Sequence, residues 1–104
     1  MPVCTIDRLV PDRGVAALVD GRQVAVFLLG TGELLAVDNH DPFSGANVLS
    51  RGLVGDFDGV PTVASPVYKQ RFDLRTGRCL DDDTVRIGAW PARKGGGVVE
   101  VGIP

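Results

Sequence analysis

The sequence predicts an all-β domain, an antiparallel sandwich or barrel, and three observations carry that expectation. Turn-forming groups recur along the chain, about nine or ten residues apart through the first three, as they do in folds of many short strands. They are Pro11-Asp12-Arg13-Gly14, Asp20-Gly21, Gly30-Thr31-Gly32, Asp58-Gly59, Thr76-Gly77 and Lys94-Gly95-Gly96-Gly97. Between them lie short runs rich in Val, Leu, Phe and Thr, residue types that suit a pleated, half-buried surface. No long window holds a helical period, and fourteen glycines with seven prolines work against long helices.

Val3 to Ile6 reads as a first short strand, and Leu9-Val10-Pro11 opens a loop because proline removes a ladder donor. Val15 to Val19 and Arg22 to Leu29 flank Asp20-Gly21, a two-residue hairpin signal in which both types tolerate positive φ. In the second of these strands Val24, Val26 and Leu28 face one way and Ala25, Phe27 and Leu29 the other. With both faces apolar, it is expected to run through the middle of the domain. Glu33 to Val37 completes a meander. The polar stretch Asp38 to Asn47 reads as a loop, with at most a turn of helix at Ser44 to Ser50.

Val54 to Phe57 and Pro61 to Ala64 form a second hairpin across Asp58-Gly59. Val63 and Ala64 lead into a loop tip from Ser65 to Gln70, and Arg71 to Leu74 leads out of it to a turn at Thr76-Gly77. Arg78 to Leu80 is expected as a return strand, Asp81-Asp82-Asp83 as a solvated turn, and Val85 to Ile87 and Val98 to Ile103 as closing strands around the Gly95-Gly97 tip. Trp90 is expected in the core.

The chain of 104 residues is long enough for one modest core, so a single domain over 1–104 is expected. Net charge of −2 argues against a general affinity for nucleic acid or an anionic membrane. No apolar run approaches the roughly 20 residues that cross a bilayer. Met1 to Thr5 lacks the basic-then-apolar layout of a secretory signal, so a cytoplasmic location is expected. Cys4 and Cys79 belong to no Cys-x-x-Cys or Cys-x-His pair and read as small hydrophobic thiols. The single histidine, His40, has no ligand partner at useful spacing. No nucleophile–base or paired-carboxylate arrangement stands out, so no catalytic residue is assigned.

Two stretches carry a family resemblance. Phe72-Asp73-Leu74-Arg75-Thr76-Gly77 is similar to the end of the second cluster-binding loop of Rieske iron–sulfur domains, and Asn39-His40-Asp41-Pro42-Phe43-Ser44-Gly45-Ala46 fits the frame of the first. The resemblance implies a Rieske-like scaffold with two loops, in which two cysteines and two histidines hold a [2Fe–2S] cluster. Here Asp41 and Phe43 stand at the ligand positions of the first loop, and Ser65 and Tyr68 at those of the second. Phenylalanine offers no lone pair, and a four-fold change of ligands leaves no expected metal or cofactor in this chain. The aromatic rings of Phe43 and Tyr68 are expected to fill the place of the metal as a pair. Asp41 and Ser65 are expected to bond nearby backbone amides.

Asp41-Pro-Phe-Ser-Gly-Ala-Asn-Val-Leu-Ser-Arg-Gly52 and Ser65-Pro-Val-Tyr-Lys-Gln-Arg-Phe72 resemble the loops of one cluster-free group, the small subunits of assimilatory NAD(P)H-dependent nitrite reductases. That resemblance implies a non-catalytic accessory subunit. Its partner would be a large catalytic subunit that carries FAD, sirohaem and an iron–sulfur cluster and reduces nitrite to ammonia. His40, Lys69, Arg71 and Arg75 could form a cationic interface rim near the loop tips. The competing readings are a Rieske-type electron carrier serving an oxygenase and a stand-alone binding or scaffold domain on the same fold.

Overall fold

Alternating apolar residues and two-residue turns build ten strands among the residues described, 2–102, of a computed structural model. In chain order β1 spans Pro2–Thr5, β2 Arg13–Val19, β3 Arg22–Leu28, β4 Leu34–Asp38 and β5 Leu53–Phe57. β6 spans Val60–Ala64, β7 Arg71–Asp73, β8 Ala89–Trp90, β9 Ala92–Gly95 and β10 Val98–Val101. They form three antiparallel sheets, ordered β1-β10-β9, β2-β3-β4-β8 and β5-β6-β7. Among the described residues no helix is long and apolar enough to cross a membrane.

Both expected hairpins are present, with positive φ at Asp20, Gly21, Asp58 and Gly59, the conformation that lets a two-residue turn follow the strand twist. β3 is the central strand anticipated from its two apolar faces. Ala25 and Phe27 enter one core with Val37, Leu49, Val63, Phe72 and Leu74. Val24 and Val26 enter a second core with Val19, Ala36, Val99 and Val101.

Several elements differ from expectation. Residues 78–80 and 85–87 are not strands but make isolated bridges, Phe72 to Cys79 and Arg78 to Arg86. Asp82 explains this: its carboxylate accepts from the Thr84 amide and hydroxyl, and its carbonyl from the Val85 amide, holding the segment as a turn. β8 and β9 lie where no strand was expected, separated by Pro91. The last strand ends at Val101; the expected extension to Ile103, like Met1 in the N-terminal reading, lies outside the described residues. The helical turn forms at Leu49–Arg51, overlapping the end of the expected span. Trp90 is half-buried against the second core, donating from Nε1 to Asp38 (3.0 Å) beneath the Arg22 guanidinium.

Candidate functional site

The two loops expected from the sequence are built on one hydrogen-bond frame. In the first, the Asp41 amide donates to the Ala46 carbonyl, and the Gly45 amide donates back to the Asp41 carbonyl. In the second, the Ser65 amide donates to Gln70 and the Lys69 amide back to Ser65, the same offsets. Each loop opens on a residue followed by proline, and its side chain accepts from the amide two places on. Phe43 donates to Asp41 Oδ1 (2.9 Å) and Val67 to Ser65 Oγ (3.3 Å). Each also turns through a left-handed residue at the fifth position, Gly45 at φ 76° and Lys69 at φ 68°.

The frame brings the two leading side chains together. The Ser65 hydroxyl donates to Asp41 Oδ2 at 2.6 Å across 24 residues of sequence, with both residues fully buried. The Ser44 hydroxyl donates to the same oxygen at 2.9 Å. Burial opposes ionisation of Asp41, but the bonds from Ser65, the Phe43 amide and Ser44 together outweigh it and hold the carboxyl below its ordinary value. The expected bonds to backbone amides are present. The direct Asp41–Ser65 clip was not foreseen.

Asn39, buried just before the first loop, was missed as well. It donates to Gln23 Oε1 and the Asn47 carbonyl and accepts from the Ser50 amide at 2.7 Å, pinning the loop to β3. A polar residue beginning a turn-rich stretch was the one available signal.

The expected Phe43–Tyr68 aromatic pair is corrected by the structure. Phe43 packs on Phe72, ring centroids 6.2 Å apart and planes tilted by 48°, while Tyr68 points outward and is 61% exposed beside exposed Val67. Tyr68 sits one place before the left-handed Lys69, at the crest of the loop, so its ring projects away from the core. Phe43→Ala is therefore expected to speed limited proteolysis of both loops, while Tyr68→Ala stays within about 0.5 kcal/mol of the parent, as exposed substitutions do. Equal protease sensitivity of the two variants would contradict this division of roles.

The cationic rim is only partly free. Arg71 forms a forked pair with Asp81 (Nη2 to Oδ1 2.9 Å), donates from its backbone amide to Oδ2 of the same carboxylate (2.7 Å), and stacks over Phe57. That pair holds the Asp81 carboxyl low, and residues 81–83 form the expected exposed turn with Asp81 tied to Arg71. Arg75 forks onto Glu33 (Nη2 to Oε1 2.9 Å). Among the described residues Lys69 Nζ reaches only the Pro66 carbonyl (3.2 Å), and His40 Nδ1 lies 3.2 Å from Asn47 Oδ1. Cys4 and Cys79 are both free thiols.

Paired loops of one frame at the end of an antiparallel β scaffold define a Rieske-like domain, and the family described as the Rieske-like [2Fe-2S] domain matches residues 1–102. The nitrite reductase (NADH) small subunit of Salmonella typhimurium is 43% identical over 100 residues, covering 95% of this chain and 93% of that protein. The chain belongs to the Rieske-like family and, within it, to the nitrite reductase small subunits. The NMR structure of the Escherichia coli protein NirD superimposes with a TM-score of 0.88 at 40% identity, covering 97% of this chain and 93% of that one. A Klebsiella oxytoca protein named nitrite reductase [NAD(P)H] large subunit is 45% identical over 96% of this chain, which spans only 10% of that protein's length.

The side chains at the four positions expected for the ligands do not fit the [2Fe–2S] cluster of the family's description. Phe43 has no donor atom and Tyr68 points to solvent. Asp41 and Ser65 are bonded to each other and to their own loops, and neither supplies the thiolate such iron requires. Among the described residues no three His, Cys, Asp or Glu side chains gather as for a metal ion.

Proposed function

We propose that the chain is the small subunit of an NAD(P)H-dependent nitrite reductase. It holds no redox centre of its own and acts in the cytoplasm through a large subunit bearing FAD, sirohaem and an iron–sulfur cluster. The observation that carries this reading is the occurrence of the same segment in two settings. It makes up nearly all of the Salmonella small subunit and a tenth of the Klebsiella chain named as the large one. A unit found both separate from and joined to a catalytic chain is a unit that works against it.

The chemistry of the loops supports an accessory role. The Asp41–Ser65 clip and the Phe43–Phe72 contact fasten the loops with hydrogen bonds and packing, where a cluster would need thiolates and imidazoles. The loop crest presents Val67, Tyr68 and Lys69, with His40 on the neighbouring loop, as a contact surface for the large subunit. Arg71 and Arg75 are engaged in ion pairs with Asp81 and Glu33 beside that surface. Reduction of nitrite to ammonia belongs to the partner's cofactors.

Purified alone, the chain is expected to be colourless and free of iron and acid-labile sulfide. Co-expressed with the large subunit, it is expected to co-elute with it and to support nitrite-dependent oxidation of NAD(P)H. Stoichiometric iron and sulfide would make the chain an electron carrier instead, and failure to co-elute would remove the accessory role.

A further inference from the structure

β5 is the outermost strand of its sheet and β2 the outermost strand of another. Between them run two adjoining clefts. One, of about 390 Å³, is lined by Arg13, Arg51 and Gly52; the next, of about 280 Å³, by Leu29, Asp56 and Pro61; Asp12 and Val54 border both. Together they follow the free edge of β5 from its start beside the root of the second loop, where Leu53 faces Ala64, toward the Asp58-Gly59 turn.

The backbone of that edge is oriented for pairing. Pro61, which has no N–H, lies opposite Asp56, and its carbonyl accepts from Leu74 on the far side of β6 (2.9 Å). Antiparallel ladders alternate bonded and non-bonded pairs, so Asp56–Pro61 and Val54–Val63 are the non-bonded ones. The N–H and C=O groups of Val54 and Asp56 therefore face away from β6, along the strand's outer edge, and both residues line the clefts. Proteins usually blunt such an edge with lysine, proline or a bulge. β5 reads Leu-Val-Gly-Asp-Phe, carries none of these, and leaves Leu53 79% and Phe57 47% exposed.

The charges along the groove are unequal. Arg13 and Arg51 are exposed and form no ion pair among the described residues. Asp56, toward the other end, accepts from the Gly59 amide (3.3 Å), and Asp12, which borders both clefts, accepts from the Gly30 amide (3.0 Å). The middle, with Val54, Leu29 and Pro61, is apolar. Asp12, Gly30 and Thr31 line the second cleft together with Val54 and Asp56.

We propose that this groove receives an extended segment of the large subunit, which adds a strand to the free edge of β5 and directs a carboxylate at Arg13 and Arg51. The proposal rests on the small-subunit reading and deepens it: main-chain bonds to Val54 and Asp56 supply affinity, and the two arginines fix which end of the segment lies where. The groove begins at the root of the second loop, so a partner seated on the loop crest reaches it without a gap.

The test is amide hydrogen exchange on the full chain, free and bound to the large subunit, with affinities for the parent and for the double variant R13E/R51E. The Val54 and Asp56 amides are expected to exchange rapidly in the free chain and at least about tenfold more slowly in the complex. The double variant, altered only at exposed side chains, is expected to keep its fold and bind roughly tenfold more weakly, the loss of two partly exposed charge pairs. An undiminished affinity with unprotected Val54 and Asp56 amides overturns the groove while the small-subunit reading stands. Absence of any complex overturns both. Protection of the same amides in the chain alone, with a dimer in sedimentation, assigns the edge to a second copy and overturns the proposed occupant.

Discussion

Replacing Asp41 by alanine is expected to lower the unfolding free energy by about 3 kcal/mol, because buried donors lose their acceptor and cannot turn to water. The Ser65 hydroxyl, the Ser44 hydroxyl and the Phe43 amide all donate to this one carboxylate. In a chain of this size that loss moves the melting temperature down by roughly 10–20 °C. The carboxyl is held below its ordinary value of 3.8, so its stabilising contribution is present in full above that value and disappears as pH falls through the lower, folded-state value. Urea midpoints measured between pH 6 and pH 3 should therefore fall more steeply for the parent than for Asp41→Asn, which cannot titrate. Asp81 and Glu33, also held low by their arginines, affect both proteins alike. Parallel pH profiles would show that Asp41 does not carry the clip.

Phe72→Ala is expected to cost about 3–5 kcal/mol, the range for truncating a buried phenylalanine. Its ring is fully buried in the first core, among Phe27, Leu49 and Val63, and touches Phe43 of the first loop. A domain of this size has only about 5–15 kcal/mol to lose. Phe72→Leu, which keeps most of the volume, should cost less than about 1.5 kcal/mol. Denaturant unfolding of the two variants checks both values, and a loss below about 1 kcal/mol for alanine would mean that the ring does not anchor the loops. The same cavity should accelerate proteolysis in the first loop, through Phe43.

Much of the scaffold was legible in the sequence because its turns are chemically explicit. Asp20-Gly21 and Asp58-Gly59 demand positive φ at adjacent residues, which leaves little but a hairpin. β3 was legible through its two apolar faces. β8 and β9 were not, since two- and four-residue strands broken by Pro91 carry too little pattern. Residues 78–87 misled for the opposite reason: their Val, Ile and Leu suit strands, but Asp82 fastens them into a turn. In the site, the twin Asp41-Pro42 and Ser65-Pro66 openings were visible, while the 2.6 Å bond between loops 24 residues apart was not. Nor could the sequence choose Phe72 over Tyr68 as the ring partner of Phe43. That choice depends on which way the loop crest turns, and Lys69 turns it through a conformation that its residue type does not announce.

The double-faced character of β3 has a consequence for how the molecule comes apart. Val24 and Val26 belong to one core, Ala25 and Phe27 to the other, and all four are completely shielded from solvent. Pulling this strand out empties both cores at once, so neither half can melt while the other stays whole. The loops and the β5 edge can breathe on their own. The β3 amides can meet solvent only when the entire chain has let go, which makes this strand the latch on which cooperative unfolding turns.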